Sequence, residues 1–140
     1  MRKWVALPSL VVAVLPAAEA TEFTLKCNVL TDSAVVNHSN GQSKKGSRLK
    51  EEWTLTFVLN AGSGRFYNFD TAEWTNLSVV SPVQLEWRRG SDCSISIDRR
   101  NGKIHGTCLT SSGAITVAHA ADGSCVKIAY RTPAQPKTAF

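Results

Sequence analysis

The stretch that decides the fold is CSISIDRRNGKIHGTCL, running from Cys93 to Leu109. Ile95 and Ile97 alternate with Ser94, Ser96 and Asp98, Asn101-Gly102 interrupts, and Lys103 to Leu109 resumes an extended pattern. Successive side chains on a strand point to opposite faces, so an apolar residue at every second position marks a strand with one buried and one wet face. Asn-Gly between two such runs is the strongest short hairpin signal, because both residues tolerate positive φ.

The same period extends in both directions. Phe23 and Leu25 alternate with polar neighbours up to Cys27, and Trp53, Leu55, Phe57 and Leu59 share a face opposite Thr54 and Thr56. Val83, Leu85 and Trp87 alternate with Gln84 and Glu86, and Ile115 with Val117, then Val126, Ile128 and Tyr130, continue the pattern. Turn residues fall between these runs, at Asn60–Gly64, Ser111-Ser112-Gly113 and Asp122-Gly123. The pattern predicts an all-β domain, a small antiparallel barrel or sandwich of about seven or eight strands. His38 to Lys50, polar and basic, reads as a long mobile loop, and Thr71 to Leu77 as at most one short helical turn.

The first twenty residues have the three parts of a cleavable export signal. Arg2 and Lys3 supply the positive end, Trp4 to Leu15 the apolar run, and Ala18 and Ala20 the small residues of an A-x-A exit. A membrane anchor would need about 20 apolar residues, and Pro8 and Pro16 interrupt this run. The expectation is therefore a signal peptide over 1–20 cut after Ala20, one β domain over 21–131, and an extended tail over 132–140. The mature protein is expected in a Gram-negative periplasm or secreted, without a transmembrane segment. It would carry 14 basic against 10 acidic side chains, a balance of +4, which fits a solvated surface with interleaved charges.

Cys27, Cys93, Cys108 and Cys125 all lie beyond the cut. An even count in a small exported domain predicts two disulfides, and sequence leaves three connectivities open. Cys27–Cys125 with Cys93–Cys108 is preferred. The first would clip the first strand to the last, and the second would brace the Asn101-Gly102 hairpin. A two-residue turn there would leave Cys93 and Cys108 diagonal, about 7–8 Å apart, so this pair needs a bulge or a longer turn.

Chemistry-bearing patterns are sparse. His105 and His119 could join the cysteines around zinc, but there are no paired C-x₂₋₄-C knuckles. There is no G-x-S-x-G elbow, and Glu51 and Glu52, adjacent on a strand, point to opposite faces. No enzyme, metal or cofactor is expected, and no nucleic acid. The candidate contact residues are Trp74, in the polar stretch Ala72–Asn76, and the cations Arg88, Arg89, Arg99, Arg100 and Lys103, the last three at one hairpin tip.

The early cysteine strand, the W-x-L-x-F strand Trp53–Phe57, the run Gly64–Tyr67, the I-x-I-D-R-x-x-G run Ile95–Gly102 and Gly123-Ser124-Cys125 together resemble a diffuse group of small exported proteobacterial β proteins. The resemblance brings no activity to carry over. The expected role is a non-catalytic binding module, either a small-ligand carrier or an inhibitor of a secreted hydrolase. The alternative is an envelope-interaction or structural protein contacting an anionic surface through the basic hairpin tip, with a small hydrolase third.

Overall fold

The computed structural model describes residues 21–90 and 92–134, so the expected signal peptide lies outside the described residues, as does the tail beyond Ala134. The described chain is all-β. Its nine antiparallel strands are β1 (Thr21–Asn37), β2 (Gln42–Asn60), β3 (Ser63–Asn68), β4 (Glu73–Asn76), β5 (Val79–Val80), β6 (Gln84–Arg89), β7 (Cys93–Asp98), β8 (Lys103–Ser112) and β9 (Ile115–Ile128). They form one sheet in the order β4-β3-β2-β1-β9-β8-β7-β6-β5. The sheet curls into a half-barrel whose two end strands, β4 and β5, come close without pairing with each other. Leu77 donates its N–H to Gly64 of β3 and the next residue, Ser78, donates to Glu86 of β6, so a sheet end lies on either side of one peptide link.

The register follows from the alternation. Phe23 sits opposite Phe57, Leu25 opposite Leu55 and Cys27 opposite Trp53. Leu55, Phe57, Phe66, Leu85, Trp87, Ile97 and Ile104 fill the interior, all at 4% exposure or less. Each such side chain contributes about 1.5–3 kcal/mol when fully buried. Phe57 is the centre of an aromatic chain: its ring lies 5.3 Å from both Phe23 and Phe66, and Phe66 lies 4.6 Å from Trp87 across the curl.

Both predicted disulfides are present, and each joins directly opposed residues: Cys27–Cys125 ties β1 to β9, and Cys93–Cys108 ties β7 to β8. The turn between β7 and β8 is longer than two residues, with Gly102 (φ 75°) donating to the Asp98 carbonyl at 2.8 Å. Ile97 therefore pairs with Ile104, which brings Cys93 opposite Cys108 instead of diagonal to it.

Several expectations need correction. Nine strands form where seven or eight were expected, because the short β4 and β5 flank the seam. Thr71–Leu77 contains strand β4, not a helical turn. The segment 38–50 is a loop only over 38–41, since Gln42 onward pairs with β1 through a bulge at Asp32/Ala34. Its Lys/Ser-rich composition is that of a sheet edge exposed on both faces, where charge blocks pairing with other chains. Asp122-Gly123 is not a turn but lies within β9. A Cβ at Gly123 would collide with the Asn28 carbonyl, so this glycine records the close approach of two strands. The later part of the apolar series on β9 also faces outward: Val126 is 57% exposed, and Ala121, Gly123 and Cys125, which share the parity of Ile115 and Val117, point in. The disulfide sets that register.

The outer face of β1–β2 carries a second, smaller layer. Arg131 donates its N–H to Thr24 Oγ1 and its carbonyl accepts from Thr56 Oγ1, both at 2.8 Å, while the two hydroxyls are 2.6 Å apart. With the Thr56 proton spent on Arg131, Thr24 donates to Thr56. The loop of bonds is closed, so two fully buried hydroxyls are satisfied. Pro133 is buried in the same segment, so the start of the expected tail is packed against the domain.

Candidate functional site

The inner face of the curled sheet is filled at one end and hollow at the other. The hollow is a cavity of about 260 Å³ at one mouth. Trp53 and Leu55 of β2, Phe66 of β3, Trp87 of β6 and Ile95 of β7 give it an apolar floor. Strand parity carries the same inward face up to a polar rim. Two residues beyond Trp53 is Glu51, two beyond Trp87 is Arg89, and two beyond Ala121 is His119. Asn68 also lines the cavity; its side-chain oxygen accepts the Asp70 N–H at 2.8 Å and so fixes the turn into β4. A convergent set of polar groups over an apolar, aromatic floor is the usual composition of a small-molecule site.

Among the described residues, Glu51, Arg89 and His119 have no ion-pair or side-chain hydrogen-bond partner, whereas most acidic groups elsewhere are engaged. Glu52, facing outward as parity requires, meets Lys26 at 3.3 Å. Asp32 meets Arg48 at 3.1 Å, Asp98 meets Arg100 at 2.8 Å, and Asp122 meets His105 at 2.6 Å.

Of the sequence-derived candidates, Arg89 alone lines this cavity. Arg88, its neighbour, points outward toward Glu86 at 3.7 Å. Trp74 is on the outer face, half-buried, with Tyr67 at 5.3 Å beneath it and the Arg65 guanidinium 4.1 Å above it. It neither projects as a free contact nor closes the barrel mouth, and its indole N–H is buried without a hydrogen-bond partner among the described residues.

Arg99, Arg100 and Lys103 do share one hairpin tip, but two of them are spent on the fold. Arg99 Nη1 donates to the Ser81 carbonyl at 2.8 Å, and Arg100 grips Asp98 through Nε at 3.0 Å and Nη2 at 2.8 Å. Those hydrogen bonds hold the Asp98 carboxyl down at about 2, well under its ordinary 3.8, and push the Arg100 guanidinium up. With Lys127 and Phe23, the two arginines line an open depression of about 470 Å³ at the opposite end of the barrel.

Sequence reasoning missed Glu51 and His119 as parts of one site. The available signal was parity, since Glu51 continues the face of Trp53 and Leu55. No family model, curated protein or solved structure matches the chain.

Proposed function

We propose that this is an exported, non-catalytic binding protein that takes a small, partly apolar molecule into the barrel mouth. The observation that carries the reading is the cavity of about 260 Å³ floored by Trp53, Phe66 and Trp87 and rimmed by Glu51, Arg89 and His119, which have no side-chain partner among the described residues. Its volume is under twice that of the roughly 150 Å³ apolar cavity known to hold benzene, which suits a molecule of one or two rings. Two disulfides are compatible with an oxidising compartment. Together with the A-x-A signal over 1–20, they support export. No helix among the described residues is long and apolar enough to cross a membrane.

The test is native mass spectrometry of protein recovered from a bacterial periplasm, followed by calorimetry with indole as a neutral aromatic probe. The expected mass lacks residues 1–20 and four cysteine protons. Indole should bind the wild type and fail to bind Thr75→Trp, which fills the cavity from β4. No heat with indole at millimolar concentration, in protein without a co-purified ligand, would refute the reading.

A hydrolase inhibitor is the second reading, favoured by the two projecting hairpins. The β1–β2 and β8–β9 tips are fastened side by side, with the His38 N–H donating to the Ala114 carbonyl at 2.7 Å and His38 Nε2 2.8 Å from Thr116 Oγ1. Inhibition assays against lysozyme and a secreted serine protease test it, and full enzyme activity at micromolar protein counts against it.

A further inference from the structure

We propose that the mouth cavity recognises a compact zwitterion bearing a flat ring, the chemistry of an aromatic α-amino acid. This rests on the binding role proposed above and names the ligand class. Two features carry it beyond size and apolarity.

The first is the pair of opposite charges on one rim. Glu51 and Arg89 line the same cavity, and among the described residues neither has an ion-pair partner. Their sequence neighbours do: Glu52 meets Lys26, and Arg88 meets Glu86. The strand alternation thus sorts each doublet into an outward charge that is neutralised and an inward charge that is not. A ligand with only one charge would engage one of these groups and leave the other without a partner. A ligand with a carboxylate for Arg89 and an ammonium for Glu51 supplies both partners, and charge-assisted bonds of this kind are the strong ones.

The second feature is the floor. Trp53 is half-buried at the cavity, and Phe66 and Trp87 lie beneath it, their rings tilted by 56° at 4.6 Å. Offset or tilted rings accept a further ring edge or face. The depression at the far end lacks this combination, because Asp98 is consumed there by Arg100.

The experiment is calorimetry on the oxidised protein with three probes: L-phenylalanine, 3-phenylpropionate without the ammonium, and 2-phenylethylamine without the carboxylate. Phenylalanine should bind at least tenfold more tightly than either truncated compound. Arg89→Gln should weaken phenylalanine about tenfold and leave phenylethylamine unchanged. Glu51→Gln should weaken phenylalanine similarly and leave phenylpropionate unchanged. Both positions are exposed, so both variants should keep the wild-type melting temperature. If indole binds but the three probes bind equally, the cavity reading stands and the zwitterion inference falls. If neither indole nor any of the three binds, both fall.

Discussion

Replacing each cystine by an alanine pair should expose how unequally the two staples act. Cys27 and Cys125 are 98 residues apart in sequence, and Cys93 and Cys108 only 15. If a disulfide stabilises by removing loop-closure entropy from the unfolded chain, the long loop is worth about 4.7 kcal/mol and the short one about 3 kcal/mol. Cys27 is also fully buried, so losing its sulfur adds about 1 kcal/mol in the same direction. Small domains have about 5–15 kcal/mol in total. The Cys27→Ala/Cys125→Ala protein should therefore be partly unfolded at 37 °C, while Cys93→Ala/Cys108→Ala remains folded. Urea titration followed by tryptophan fluorescence should separate the two midpoints by about 1 M, given the usual slope of about 1–3 kcal/mol per M. A short-loop variant as unstable as the long-loop variant would refute the entropic account and locate the effect in native packing.

Gly102→Ala should cost at least about 2 kcal/mol, because φ is 75° and the added Cβ meets the Cys125 carbonyl; Gly113→Ala, at φ 59° with open space, should cost about 1 kcal/mol by the same denaturation assay. Trp74→Ala should lower stability by about 2–3 kcal/mol yet leave indole binding unchanged, since Trp74 packs on Tyr67 outside the barrel; altered indole affinity would mean that Trp74 reaches the site. The Asp98 carboxyl should titrate at about 2 by NMR, and Arg100→Gln should return it toward its ordinary 3.8. A depressed carboxyl contributes stability that is present above its unfolded value and lost as pH falls through about 2, so the wild type's margin over Arg100→Gln should vanish in that window.

Much of the architecture was written in the period of the apolar residues. Trp53–Leu59, Leu85–Trp87 and Ile95–Ile97 alternate because one face packs on the aromatic chain through Phe57 and Phe66, and no long-range contact competes with that pattern. Where a strand is wet on both faces, as in Gln42–Glu52, nothing enforces alternation, and a paired strand reads as a loop. Glycine misled for a related reason. Local sequence cannot separate a residue needed for a turn from one needed for a close strand crossing, and Gly123 is of the second kind. At the site, the cations in Arg88-Arg89 and Arg99-Arg100 were visible, but their partners were not. Whether an arginine is free depends on which carboxylate the turn delivers to it, as Asp98 is delivered to Arg100.

The order of strands divides the chain into two successive halves, β1–β4 and β5–β9, each a meander of neighbouring strands. They touch like the valves of a shell. Along one side the hinge is the β1–β9 ladder locked by Cys27–Cys125; along the other the clasp is the single link from Leu77 to Ser78. A protease cut at the clasp leaves the halves covalently joined, and so does reduction of the hinge disulfide alone. With both, the halves would be held only by non-covalent contacts, chiefly the β1–β9 ladder. The redox state of one cystine thus decides whether a nick in this chain leaves its halves covalently joined.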